Sequence, residues 1–169
     1  KDNLIADTAA VLKTNLLNEI DKKAEALANE LKNTQKELEA LKAQIASAKA
    51  NDIMSDVKKI GDVELLAARL DGMSADDLKK TADGIKEKLT AGVVVLASNT
   101  DDKITFVAMA TKDALGMGAH AGNIIKEITQ IAGGRGGGKP DMAQGGGKDA
   151  SKIDDALAHA ESVVESQIK

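Results

Sequence analysis

Residues 92–110 read GVVVLASNTDDKITFVAMA and consist of two apolar runs on either side of a short polar segment. The first run, Val93–Ala97, is rich in β-branched residues and follows a glycine, a pattern typical of a buried strand. The second run, Ile104–Ala110, is also apolar, and Asn99–Asp102 supplies turn-forming residues between the two. The stretch therefore predicts two buried strands that pair as an antiparallel β-hairpin.

A further strand and a helix precede this hairpin in the sequence. Residues 63–70, VELLAARL, are apolar on both sides, as in a strand covered on both faces. Ser74 stands three residues before Asp77 in the spacing of a capping box, so a helix is expected to begin there and to continue to about Ala91, where Gly92 would stop it. Strand, helix, strand and hairpin partner predict a right-handed crossover into a mixed sheet, and hence an α/β (α+β) globular domain.

A long helical pattern comes before this domain. Residues 2–14 fit a short amphipathic helix with a break near Thr14–Asn15, and apolar residues then recur at two heptad positions from Leu17 to Ala48. Such a helix has a narrow apolar seam that a partner must cover. The partner is either a neighbouring segment of the same chain, giving a helical hairpin, or the same helix of a second chain, giving a coiled-coil homodimer.

The chain is thus expected to divide into a helical arm, residues 1–61, and a globular α/β domain with a glycine-rich segment, residues 62–169. Within the second part, a helix with isoleucines on its inner face is expected over residues 118–132. A final helix is expected to begin after a cap at Asp149 or Ser151.

The segment between those two helices, residues 133–148, reads GGRGGGKPDMAQGGGK and holds eight of the 15 glycines. A packed core does not need so much backbone freedom, but bare peptide N–H groups can approach a ligand closely, and alternating αR and αL residues form an anion-binding nest. Arg135, Lys139 and Lys148 add positive charge. A flexible linker is the other interpretation, but Pro140 restricts the backbone and favours an ordered glycine-rich loop that binds a phosphate-bearing partner.

Several other functions are disfavoured by particular residues. Residues 133–139 match the GxxxxGK of a P-loop, but Pro140 replaces the Ser or Thr that would hold Mg²⁺, and a helix instead of a strand precedes the segment. The chain has no cysteine, and His120 and His159 are its only histidines, so no metal site is expected. We predict no cofactor and no catalytic residue in this chain.

The charge balance disfavours a protein that coats nucleic acid, because 23 Lys and Arg residues stand against 27 Asp and Glu residues. From His120 to Lys148, however, four basic residues stand against two acidic ones, so a polyanion would prefer this segment. Phe106 is the only aromatic residue, which leaves shape and backbone contacts as the means of recognition. No secretory leader and no apolar span of membrane length is recognisable, so we expect a cytoplasmic chain without a membrane partner.

The glycine segment also carries a resemblance to a known family. GGRGGGKPDMAQGGGKD, preceded by HAGNIIKE and by the strand VVVLAS, resembles the C-terminal domain of bacterial-type alanyl-tRNA synthetases. A looser relation is to the DHH-associated domain of phosphoesterases that act on nucleotides or single-stranded nucleic acid. Those proteins usually carry a glycine–histidine pattern in this segment, and here the segment has no histidine, which favours the synthetase form.

The resemblance implies a tRNA-binding module that holds the elbow of an alanine-specific tRNA and helps the catalytic and editing domains upstream in the same chain to act on one tRNA. The chain would be part of an enzyme without a catalytic centre of its own. Family dimers also form through this region. Two alternatives stay open, namely an accessory domain of a DHH-type phosphoesterase and a dimerisation arm. The predicted nucleic-acid-binding residues are Gly134, Arg135, Gly136, Gly137, Gly138, Lys139, Asp141, Gln144, Gly145, Gly146, Gly147 and Lys148.

Overall fold

The chain divides into two compact units, residues 1–45 and residues 46–169. The boundary falls earlier than the expected division after residue 61, because Ile53, Met54 and Val57 already pack against the core of the second unit. The computed structural model describes residues 2–13, 19–100 and 103–168.

Two helices account for the first unit, α1 (Asp2–Val11) and most of α2 (Ile20–Ile53). The predicted break at Thr14–Asn15 and the start of the seam at Leu17 lie outside the described residues. Among the described helices, none combines the length and the apolar character that crossing a bilayer requires. The large apolar residues of the α2 seam are exposed: Leu27 (43%), Leu31 (61%), Leu38 (52%), Leu41 (56%) and Ile45 (55%).

The second unit is built on a six-stranded mixed sheet in the order β1-β2-β3-β4-β6-β5. β2 and β3 are parallel and the other neighbours are antiparallel, which confirms the predicted fold class. The predicted hairpin is β3–β4, with Val93 opposite Ala110. The strands are β1 (Lys58–Ile60), β2 (Val63–Arg69), β3 (Gly92–Thr100), β4 (Lys103–Ala110), β5 (Arg135–Gly138) and β6 (Met142–Gly147).

Four helices accompany the sheet. The predicted cap of α3 is present, because the backbone N–H of Asp77 donates to Ser74 Oγ at 3.2 Å and the Ser74 hydroxyl donates to the Asp77 carboxylate at 2.7 Å. The helices are α3 (Ala75–Lys86), α4 (Lys112–Gly116), α5 (Ala121–Ile131) and α6 (Ile153–Gln167).

The end of α3 differs from the prediction. The helix stops at Lys86, five residues before Ala91, and Gly92 is the first residue of β3 instead of a helix stop. The apolar pattern misled the prediction because Leu89 is still buried, although it lies in the turn into β3. Glycine is needed at the start of β3, since a Cβ at Gly92 would collide with the Leu89 side chain.

Alternating residues of β3 separate two apolar layers. Val94 and Leu96 belong to the layer with α3, which packs on β3 and β4, and we call this side of the sheet the α3 face. Val93 and Val95 belong to the layer with α5 and α6 on the opposite side, which we call the α5 face. Coverage on both faces explains why the strand reads as one continuous apolar run.

An ion-pair cluster ties the end of β2 to the beginning of α6. Arg69 lies 2.8 Å from the Asp71 carboxylate and 3.3 Å from that of Asp154. The hydrogen bond to Asp71 is the largest cause of a raised pKa for Arg69, so the guanidinium remains charged. This cluster is an exposed supplement to the apolar contacts by which α6 packs on the sheet.

We expect Gly84→Ala to raise the free energy of unfolding by about 0.5–1 kcal/mol, because alanine has the higher helix propensity. Gly84 lies within α3, and a Cβ there would meet no atom within 4 Å. Urea unfolding measures the change, with Gly92→Ala as the control that should lower stability. A destabilised Gly84→Ala variant would contradict this account of α3.

Candidate nucleic-acid interface

The glycine-rich segment is ordered, as predicted, but it is a β-hairpin and not a loop. β5 and β6 pair with each other, and β6 also pairs with β4, so the segment completes one edge of the sheet. The predicted nest of alternating αR and αL residues is not formed there, since both strands are extended. The reason is that β6 pairs with β5 on one side and with the distant strand β4 on the other, and this pairing uses backbone groups that a nest would leave free.

Close packing of α5 explains three of the eight glycines in this segment. A Cβ on Gly136 would lie 2.5 Å from Ile125 Cγ2, and a Cβ on Gly145 would lie 2.6 Å from Thr129 Cγ2. A Cβ on Gly147 would lie 2.9 Å from the Cβ of Ala132. Real Cβ atoms do not make such contacts, so glycine at these positions lets α5 rest directly on the backbone of the hairpin.

Two further close contacts involve backbone carbonyls at the ends of the hairpin, and one of them lies between the hairpin and α5. A Cβ on Gly134 would overlap the carbonyl oxygen of Gly146, and a Cβ on Gly122, in the first turn of α5, would lie 2.5 Å from the carbonyl oxygen of Gly138. Gly133 has a φ of 67° and ends the helix. Next to it, the N–H of Gly134 donates to the carbonyl of Thr129 at 2.7 Å, as in a Schellman motif.

The opposite side of the hairpin is open to solvent. Its residues alternate with the glycines that touch α5, and they lie on the α3 face, since β6 pairs them with β4 residues of that face. Arg135 stands opposite Gly146, and Gly137 opposite Gln144. We call this surface the outer face of the hairpin; it consists of Arg135, Gly137, Met142, Gln144 and Gly146.

The turn of the hairpin is held from both sides. The N–H of Lys139 donates to the carbonyl of Met142 at 2.9 Å and closes the turn. The carbonyls of Pro140 and Asp141 accept from Ala121 at 2.8 Å and from Ala110 at 3.0 Å. Asp141 thus contributes to the fold through its backbone carbonyl, while its side chain is exposed to solvent.

The three predicted cations lie at the two ends of the hairpin. Arg135 and Lys148 flank one end, and Lys139 follows the other end of β5, four residues or about 13 Å away along the strand. All three side chains are exposed. Within the described ranges, no carboxylate lies within 4.0 Å of any of them, so their charges are available to a ligand.

The residue after Lys148 starts the connection to α6. The Asp149 carboxylate accepts hydrogen bonds from the hydroxyl of Ser151 at 2.6 Å and from its N–H at 3.0 Å. These bonds lower the pKa of Asp149. Of the two predicted caps, Asp149 is therefore the residue that caps the 3-10 turn before α6.

Both histidines have local structural partners. His120 caps α5, because its Nδ1 accepts from the N–H of Asn123 at 3.1 Å, and its own N–H donates to the Gln167 side chain at 2.8 Å. His159 lies 3.6 Å from the Glu127 carboxylate on the neighbouring helix. In the part of the chain that the structure describes, no three acidic or histidine side chains come together as metal ligands.

Sequence reasoning expected isoleucines on the inner face of α5 but did not identify which residues of this helix contact the hairpin. Gly122, Ile125, Thr129 and Ala132 form one stripe on this helix and contact the glycines of β5 and β6. The signal that could have found them is the row of small residues on a helix whose other inner positions are isoleucines.

Comparison with known proteins gives consistent matches over this chain. The model of the DHHA1 domain family matches residues 62–166. Alanine–tRNA ligase of Acetivibrio thermocellus is 47% identical over 168 residues, which is 99% of this chain and 19% of the relative. Alanine–tRNA ligase of Clostridioides difficile strain 630 is 42% identical over 172 residues, again 19% of its length. The chain thus spans about a fifth of the curated relatives it matches.

One solved structure agrees in fold as well as in sequence. The C-Ala domain from Aquifex aeolicus alanyl-tRNA synthetase superimposes with a TM-score of 0.60 and 29% identity. The match covers 64% of this chain and 97% of that domain.

We expect Gly136→Ala and Gly145→Ala each to lower the free energy of unfolding by about 1–3 kcal/mol, because the added methyl group overfills the contact with α5. Gly137→Ala is the matched control for stability, since a Cβ at Gly137 would meet no atom within 4 Å. Thermal unfolding compares the three variants. Equal melting temperatures for all three would contradict the packing role of the inner glycines.

Proposed function

Since the chain belongs to the DHHA1 domain family, we propose that it is the tRNA-binding module of an alanine–tRNA ligase. The observation that carries this proposal is the hairpin of residues 135–147, whose inner side is sealed by α5 and whose outer face is bare and flanked by unpaired cations. The similarity to alanine–tRNA ligases over the whole chain supports the choice of tRNA as the polyanion.

The physical basis of binding is contact with phosphate and sugar groups. Arg135 and Lys148 at one end and Lys139 at the other can neutralise different phosphates of one RNA. Phe106, the only aromatic residue, is fully buried, so this chain offers no aromatic platform for base stacking. Because bases cannot stack on aromatic side chains here, this chain recognises folded RNA by the shape of its sugar–phosphate backbone.

The finer part of the proposal concerns the place of this module in the ligase. It holds the elbow of an alanine-specific tRNA and keeps the tRNA within reach of catalytic and editing domains that lie elsewhere in the same protein. It acts in the cytoplasm and requires no cofactor of its own. The predicted site residues Gly134–Lys139, Asp141 and Gln144–Lys148 are proposed as the contact region.

We expect Arg135→Ala combined with Lys139→Ala to weaken tRNA binding and to flatten its salt dependence. The slope of log K against log salt is negative, and each lost phosphate contact reduces its magnitude by about 0.7–0.9. Filter binding of a tRNA over a salt series measures both quantities. The control is Lys59→Ala combined with Lys112→Ala, which removes two exposed lysines outside the hairpin.

An unchanged salt slope in the Arg135 and Lys139 variant would remove the hairpin from the binding surface. Competition with short single-stranded oligonucleotides and mononucleotides tests the alternative of a phosphoesterase accessory domain. Preference for those ligands over folded tRNA would favour that alternative.

We propose in addition that the exposed seam of α2 pairs with the same helix of a second chain. Five large apolar side chains at the two heptad positions of the seam, each 43% or more exposed, favour a coiled-coil contact.

Leu31→Gln combined with Leu38→Gln is expected to convert a concentration-dependent dimer into a monomer, because both residues occupy the same heptad position. Sedimentation equilibrium of the full chain measures the association. Lys32→Gln combined with Glu39→Gln, outside the seam, is the control. A wild-type chain that stays monomeric at every concentration would exclude the dimer.

A further inference from the structure

We infer that RNA contacts the hairpin in the corner between its outer face and α3, and this inference rests on the proposed tRNA binding. The surface has a floor, formed by Arg135, Gly137 and Gln144, and a wall, formed by Lys79 and Lys86 of α3. It is distinct from the turn of the hairpin and from the α5 face. The inference follows from the glycines, from the layers that cover the sheet and from the position of the lysines.

The glycines of the hairpin fall into two groups. Those whose side chains would point toward α5 are required by packing, as described above. Gly137 is not required by packing or by conformation, since a Cβ there would meet no atom within 4 Å and its φ is not left-handed. Glycine in a strand lowers stability relative to other residues, so Gly137 does not serve the fold, and on the solvent-exposed face beside Arg135 its bare backbone is open to close approach by a ligand.

The covering layers leave one side of the hairpin bare. α5 packs on β5 and β6 on one face, whereas α3 packs on β3 and β4 on the other. The β4 residues Val107 and Met109 are therefore buried, at 0% and 4% exposure, while their partners on β6, Gln144 and Met142, are exposed. On the α3 face, the sheet is thus covered at β4 and exposed to solvent at β6.

The flank of α3 that borders this surface carries two lysines. Lys79 and Lys86 are seven residues apart, so they share one side of the helix, and their side chains are 35% and 30% exposed. The β2–α3–β3 unit has the connectivity of a parallel crossover, and such crossovers are right-handed. In a right-handed crossover, the side of α3 that carries Lys79 and Lys86 faces β4 and β6, and the opposite side of the helix faces β2.

The charge of this corner favours the sugar–phosphate backbone of RNA over a protein segment. Arg135 lies on the floor without a carboxylate partner within the described ranges, and the outer face contains no acidic residue. Lys79 and Lys86 are held by Asp76 at 4.0 Å and Asp83 at 2.7 Å, each three residues earlier on the same helix. Such exposed pairs are weak and can exchange for a phosphate.

The test compares tRNA affinity and melting temperature of full-chain variants. Gly137→Ala and Gly137→Val place a small and a larger side chain on the floor, and we expect at least about a tenfold loss of affinity for Val, with an unchanged or higher melting temperature. Gly116→Ala is the matched control, because a Cβ at this glycine of α4 also meets no atom within 4 Å. Its affinity should equal that of the wild type.

The wall is tested by Lys79→Ala combined with Lys86→Ala, which should lower both the affinity and the salt slope. Lys80→Ala, on the exposed side of α3, is the control. If the wild type binds no tRNA, the proposed function itself is wrong. If the Arg135 and Lys139 variant loses binding while the Gly137 and the Lys79 and Lys86 variants keep wild-type affinity, tRNA binding stands and this corner is excluded.

Discussion

The contact between α5 and the bare backbone of the β5–β6 hairpin is the constraint on which the rest of this structure depends. Ile125 and Thr129 reach so close to Gly136 and Gly145 that no side chain fits between helix and strand. Because α5 also packs on α6 and β4, this contact fastens the edge of the sheet to the main core. The hairpin can then present its other side to solvent without losing its support.

The two faces of the sheet therefore differ in function: one stabilises the domain, and the other leaves the edge of the sheet accessible. On the α5 face, a continuous apolar layer of aliphatic side chains and the buried Phe106 supplies the stability of the domain. On the α3 face, a smaller layer covers only the central strands, and the edge strands remain accessible. Charge follows this division, since Arg135 and the lysines near it lie where the apolar cover ends.

The sequence predicted those elements whose signal is local. The β-branched run of β3, the apolar β2 and the cap at Ser74 each depend on a few adjacent residues, and all three are confirmed. β5 and β6 were not predicted as strands, because glycines show no alternation of apolar and polar side chains and because β4, the strand that joins β6 to the sheet, is distant in sequence. The roles of individual glycines depend on the position of α5, which no local pattern reveals.

The stacking of α5 on glycine has a consequence for how this domain can change over evolutionary time. A side chain at Gly136, Gly145 or Gly147 would collide with α5, so selection for a folded chain disfavours it whether or not the hairpin binds anything. Invariant glycine at these positions would therefore reflect packing and would give no evidence of ligand binding. The informative position is Gly137, where a side chain would meet no atom of the chain, so an invariant glycine there would point to contact with a ligand.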